Sequence, residues 1–191
     1  MSLAKLKKFT AHRVLGIDAS TNSIAFCTFL DKTPVSYGEI EFEGSNVYER
    51  LLDAKRKVAA AKRAGLFDVD FIAIEAGVVV KSTHVGIKMA YVFGVIMAEL
   101  LTEDIDIVEV HPISWQSYIG NKNFTKAQKE SVKLEFPGKS ENWYKNKIRQ
   151  IRKEATLQFM HDKGIITKSD NVADAAGLAW YAVNNITRTD G

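Results

Sequence analysis

The residues Phe71 to Ile74 (FIAI) form an unbroken apolar run that is too short for a helix and suits a strand buried on both faces. Such a strand needs helices above and below it, so this run commits the chain to a layered α/β architecture. The neighbouring segments agree. Arg13 to Asp18 reads as a short apolar strand ending in an acid, and Ser23 to Leu30 (SIAFCTFL) as a second strand across the polar turn of Ser20, Thr21 and Asn22. Pro34 opens a third strand through Phe42, and Gly44 closes it, giving three sequential antiparallel strands. Asn46 with Glu49 three residues on has the form of a helix N-cap with its capping-box acid. Val47, Leu51, Leu52, Val58 and Ala59 mark the amphipathic helix that follows, ending near Gly65.

Thr83 to Leu101 is a helix that is apolar nearly all round, which implies burial on more than one side, in the core or at a subunit interface; a homodimer is expected. Ile105 to Val110 (IDIVEV) forms a fifth strand ended by Pro112, so a parallel crossover joins it to the FIAI strand. Helices from Trp143 to about Lys163, stopped by Gly164, and from Asp170 to about Asn184 complete the order βββαβαβαα. That order is a mixed five-stranded sheet, a three-strand antiparallel meander plus two parallel strands, with helices on both faces.

At 191 residues, 46% hydrophobic and 26% charged, the chain fits one ordinary globular domain and excludes a disordered or collagen-like one. Its one cysteine, Cys27, lies inside an apolar run and reads as a buried thiol in a reducing compartment. Val85 to Leu101 is the most apolar stretch. It carries Lys88 and Glu99 and falls short of the roughly 20 uncharged residues that a membrane span needs, so no membrane partner is expected. Residues 1–12 are basic and lack the apolar core of a secretory signal; a mobile arm and an organelle transit segment are the two readings open to them.

Formal charge is only +3, but it is unevenly spread. Asn121 to Lys168 holds 12 Lys and Arg against 5 Asp and Glu, while the rest of the chain holds 14 against 18. Phe124, Phe136, Trp143 and Tyr144 are interleaved with this basic block. DNA phosphates reward such a block through counterion release, whereas a solvated helical face is the plainer alternative. The candidate phosphate contacts are Lys81, Lys122, Lys126, Lys129, Lys133, Lys139, Lys145, Arg149 and Arg152.

Three acids stand where chemistry can use them. Asp18 ends the first strand, Glu75 ends the fourth, and Asp174 lies near the start of the last helix, with Asp170 one turn before it. If the first and fourth strands are parallel neighbours, Asp18 and Glu75 emerge at one carboxyl edge, where α/β sheets place their sites. Like charges so close need a cation, and an all-oxygen donor set favours Mg²⁺ or Mn²⁺. Two such ions suit the in-line hydrolysis of a phosphodiester. Singly, each acid also has a structural reading as a turn or cap residue, Asp170 above all.

These residues resemble the RuvC-type Holliday-junction resolvases of the ribonuclease H-like superfamily, in a phage or otherwise divergent branch. The matching motifs are Val14-Leu15-Gly16-Ile17-Asp18, Ile72-Ala73-Ile74-Glu75, the helix around Lys88 to Gly94, Pro112 to Trp115, and Asp170-Asn171-Val172-Ala173-Asp174-Ala175. The resemblance implies a single ribonuclease H-like nuclease domain over 13–187, with a basic insertion around 120–145. It implies a dimeric crossover junction endodeoxyribonuclease of the bacterial or phage-infected cytoplasm, dependent on two Mg²⁺ or Mn²⁺ ions, that cuts four-way DNA junctions and leaves 5′-phosphate ends. Carried over by motif, Asp18, Glu75 and Asp174 are metal ligands. The family usually has an acid three residues before the last ligand; here Asn171 stands there with Asp170 beside it, and Asp170 is favoured as the fourth ligand because a carboxylate neutralises divalent charge. Lys147 and Lys153 are the candidates to stabilise transition-state charge.

Three rivals stay open. A related metal cluster can cut RNA–DNA hybrids or flaps, and a protein that has lost catalysis can still bind junctions. The turn Asp18 to Ser23 is also similar to the phosphate loop of actin-like and sugar-kinase ATPases, which generally use two such domains.

Overall fold

The structure, a computed structural model, describes residues 13–76 and 83–185. The arm expected over residues 1–12, and Lys81, lie outside the described residues. The elements run β1 (Arg13–Ala19), β2 (Ser23–Leu30), β3 (Thr33–Glu41), α1 (Val47–Arg63), β4 (Phe71–Glu75), α2 (Thr83–Leu100), β5 (Asp106–Val110), α3 (Pro112–Tyr118), α4 (Lys126–Glu135), α5 (Glu141–His161) and α6 (Asp170–Asn185). They build one sheet in the order β3-β2-β1-β4-β5. The first three strands pair antiparallel, and β4 and β5 add in parallel on the other side of β1. This is the mixed sheet that the apolar runs imply.

Strand alternation sorts the side chains into two cores. Leu15, Ile17, Ile72 and Ile74 join Val58, Val92, Ile96 and Leu100 on the side of α1 and α2. Val14, Phe71, Ala73 and Val110 join Trp115, Met160, Ala176, Leu178 and Ala179 on the side of α3, α5 and α6. Between β2 and β3, Asp31 and Lys32 both take positive φ, 45° and 71°, the paired left-handed turn that matches strand twist. The cap of α1 forms as its sequence implies: the Asn46 side chain accepts from the N–H of Tyr48 and of Glu49 at 2.9 and 3.1 Å. Glu49, however, turns back to the backbone N–H and hydroxyl of Ser45 instead of the Asn46 backbone.

Two helices go beyond the sequence reading. The N–H of Ile113 donates to His111 Nδ1 at 3.3 Å, which caps α3 and gives His111 a structural role. Thr125 and Gln128 form a capping box at the start of α4, so the basic segment around 120–145 is a helix and the turn into α5. A third difference concerns α2. Its buried residues are Val92, Ile96, Met97 and Leu100, a single stripe against α1 and the sheet, while Ile87 and Tyr91 are 45% and 47% exposed. Among the described residues, α2 is buried on one side only. By length and composition α2 is apolar enough to cross a membrane, but its inner stripe is part of the domain core.

Helix α6 lies directly on β1. A Cβ on Gly16 would overlap the carbonyl oxygen of Ala175 and stand 2.7 Å from the amide nitrogen of Ala179. On the helix side the contact is made by small residues, with Ala173, Ala175, Ala176, Ala179 and Ala182 all buried. Trp115 closes over the helix at Gly177, where a Cβ would lie 2.6 Å from its ring. Because backbone cannot move aside as a side chain can, Gly16→Ala is expected to cost about 3 kcal/mol or more. Gly94→Ala, in open space within α2, should be neutral or stabilising by up to about 1 kcal/mol. Urea unfolding followed by circular dichroism reads both, and equal stabilities would refute the close-approach argument.

Candidate active site

The carboxyl edge of the sheet gathers the acids. Asp18 is the register partner of Ala25 on β2, and Ala25 is the partner of Glu39 on β3. On the other side the parallel pairing runs through Ile17 and Ile74, so Asp18 and Glu75 are the next residues on adjacent strands. Alternation turns both away from the α1 and α2 core and toward α6. Asp174 comes down from α6 immediately before Ala175, the residue whose carbonyl lies against Gly16. The close approach of helix to strand therefore brings Asp174 to Asp18 and Glu75.

The electrostatics show how tightly this edge is loaded. Burial, then the charge of Glu39, raises the Asp18 carboxyl to about 6. Burial and then Asp18 raise Glu75 to about 7. Asp174 is raised to about 7 by burial, then by Asp18 and Glu75, and is pulled partly back by Lys153 and Arg152. Among the described residues no three acidic, histidine or cysteine side chains stand close enough together to enclose an ion. The donors at the edge are nonetheless all oxygen, half-buried and anionic, with few cations to balance them. That set fits Mg²⁺ or Mn²⁺ in charge and hardness.

The two residues weighed as a fourth ligand part company. Asp170, the first residue of α6, pairs with Lys153 of α5. Asn171 instead donates from Nδ2 to Glu39 Oε1 at 3.0 Å. Lys147 is not brought to the acids; its ammonium lies 5.6 Å from the centre of the Phe136 ring, toward α4. Arg152 braces the fold, donating to Gln116 Oε1 at 2.6 Å and Asn121 Oδ1 at 3.1 Å, although it still reaches Asp174 electrostatically. Lys133 pairs with Glu141 and Glu130. Lys122, Lys126, Lys129, Lys139, Lys145 and Arg149 are exposed, Lys139 lying over Trp143 at 5.7 Å.

Sequence reasoning missed Glu39 and the cavity of about 390 Å³ on the α2 side of the edge, which is floored by Ile17, Ile74, Met89 and Phe93 and has Glu109 among its lining residues. An acid in an edge strand carries no local signal; only the register shows that Glu39 shares a row with Asp18. Cys27 takes no part, since burial pushes its thiol up to about 12.

The raised carboxyls set the pH dependence of stability without metal. Each folded pKa lies above its unfolded value, so the folded state holds more protons and stability falls as pH rises from about 4 through about 7. Asp174→Asn removes one of the three charges and should raise stability at pH 8 in EDTA by about 1 to 2 kcal/mol after allowing for solvent screening. Thermal unfolding at pH 5 and pH 8 measures this, and a wild type more stable at pH 8 would contradict it.

No protein-family model matches the sequence, and no curated protein matches it. Among solved structures the chain is similar to RuvC of Thermus thermophilus. The structure of that protein in complex with a Holliday junction substrate aligns at a TM-score of 0.61 and 12% identity, over 92% of this chain and 98% of that one. A second structure of Thermus thermophilus RuvC gives the same figures. A Fowlpox virus resolvase in complex with Holliday junction DNA aligns at 0.46, too low to bear on the fold. The mixed five-stranded sheet with helices on both faces, and its alignment along nearly the full length of RuvC, show that this chain shares the fold of RuvC.

Proposed function

We propose that this protein is a metal-dependent endonuclease that cuts four-way DNA junctions as a homodimer. The observation that carries the reading is the half-buried carboxylate edge of Asp18, Glu75 and Asp174, held under α6 with raised pKa values in a RuvC-like fold. In this reading those three residues would hold two Mg²⁺ or Mn²⁺ ions, and Asp170, which pairs with Lys153 in this structure, would be the fourth ligand. Bound divalent ions would supply Lewis-acid polarisation of the phosphodiester and a lowered pKa for the attacking water. The chain's own residues do the rest. Lys153, beside Asp170, offsets the negative charge that grows on the phosphorane-like transition state. Hydrolysis then leaves a 5′-phosphate and a 3′-hydroxyl.

For phosphate contacts outside the reacting centre, the exposed Lys122, Lys126, Lys129, Lys139, Lys145 and Arg149 are the strongest candidates. Lys133 and Arg152 would have to leave acidic or amide partners to serve. Lys81 follows Glu75 in sequence and joins them on that ground alone. The outer stripe of α2, with Ile87 and Tyr91, is assigned to a second copy, which would cover its apolar surface. A reducing cytoplasm suits the buried thiol of Cys27.

Incubation with a labelled immobile four-way junction, linear duplex and RNA–DNA hybrid, in Mg²⁺, Mn²⁺ and EDTA, tests the activity. Paired nicks confined to the junction and abolished by EDTA are expected; cleavage of the hybrid alone would transfer the reading to a hybrid nuclease. Asp18→Asn and Glu75→Gln should each lower the cleavage rate by a factor on the order of 10³ or more, while junction binding in Ca²⁺ stays within about twofold. Loss of binding as well would contradict a purely catalytic role. Tyr91→Asp should convert the dimer to a monomer by light scattering, and an unchanged mass would remove α2 from the interface.

A further inference from the structure

The carboxylate row has a member that the metal-ligand set does not use. Glu39 lies two strands from Asp18, on the face that α6 covers, with the buried Ala25 between them. Its carboxylate joins three parts of the fold. Oε1 accepts from Ser23 Oγ of β2 at 2.7 Å and from Asn171 Nδ2 of α6 at 3.0 Å, and Oε2 accepts from Ser169 Oγ at 2.9 Å. Ser169 is itself the cap of α6, its hydroxyl taking the N–H of Val172 at 3.3 Å. All three donors are neutral, so these are charge-assisted bonds to a single anion. Burial works against ionisation of Glu39, but the bonds from Ser23, Asn171 and Ser169 outweigh it and hold its pKa below the usual value.

We propose that Glu39 is a positioning residue of this site: it ties the cap and first turn of α6 to β2 and β3, so that Asp170 and Asp174 meet Asp18 and Glu75 at the separation that divalent ions require. The inference rests on the nuclease reading above. Packing of α6 on Gly16 fixes the depth of the helix but leaves its first turn free to rotate or fray, because helix ends carry unsatisfied N–H groups. The Glu39 knot removes that freedom at the turn that carries Asp170. It also accounts for the amide at position 171: an amide donates to Glu39, where a carboxylate would face it as a like charge. Partners of this kind, one step removed from the metal ligands, typically cost 10–100-fold in metal affinity or activity when lost.

Glu39→Ala removes the knot. Glu39→Gln removes the charge but keeps the bonds, because the Asn171 amide and both hydroxyls can reverse their donor roles. Mn²⁺ binding is measured by calorimetry on the DNA-free protein, and kcat on the four-way junction separately. Glu39→Ala is expected to weaken Mn²⁺ binding and lower kcat by about 10–100-fold, with junction affinity in Ca²⁺ unchanged within about twofold and Glu39→Gln within about threefold of wild type. Ser23→Ala, a smaller perturbation, should fall between the two and serves if Glu39→Ala does not fold. Glu39→Ala, or Ser23→Ala in its place, binding Mn²⁺ like wild type would overturn the proposal, as would Glu39→Gln losing as much as Glu39→Ala. Wild-type protein that binds no Mn²⁺ would instead refute the nuclease reading itself and this inference with it.

Discussion

The contact between the backbone of α6 and Gly16 of β1 is the constraint on which the site depends. Only a strand position without a Cβ lets the carbonyl of Ala175 and the amide of Ala179 come so close. Only a helix face built from alanines can lie flat there, and Trp115 seated against Gly177 presses the helix down from its outer side. The geometry has a direct chemical consequence. Asp174 is one residue from the point of contact, and Asp18 is two residues along the strand on the same face, so the packing brings both to one edge. A larger residue at either surface would lift the helix and separate the carboxylates before it altered any of them.

That arrangement works against stability. Asp53 shows what the same fold does with an ordinary structural carboxylate: the N–H of Glu43, then Lys57 and Arg56, hold it down to about 2. Asp18, Glu75 and Asp174 are treated in the opposite way, buried next to one another and raised toward neutrality. The local charge is eased by Lys153 and Arg152, which reach Asp174. A domain has no structural need for three such groups at one edge; the proposed divalent ion would supply the missing positive charge, and folding tolerates the repulsion because two apolar cores lie beneath it.

Much of this was legible in the sequence, for identifiable reasons. The FIAI run and the acid-terminated first strand show the sheet and two of the acids, because short apolar runs and strand ends are local signals. Asp174 stands out as an acid among alanines. The α3 and α4 helices did not show, since seven and ten residues with weak apolar periodicity leave little pattern; the Thr125 and Gln128 pair was the available cue. In α2, apolarity was plain, but sequence does not tell which stripe the domain itself covers. Glu39, the pairing of Asp170 with Lys153 and the turn of Asn171 toward β3 depend on register and on contacts more than a hundred residues apart for Glu39. No window of sequence contains them.

The central claim is that helix packing at Gly16 assembles a divalent-cation site at the carboxyl edge. The most direct measurement is anomalous scattering from crystals of the protein soaked in Mn²⁺. The account predicts Mn²⁺ density between Asp18, Glu75 and Asp174, with Asp170 at its margin. Density that avoids this edge, or its absence at Mn²⁺ concentrations well above those used by related chemistry, would contradict it.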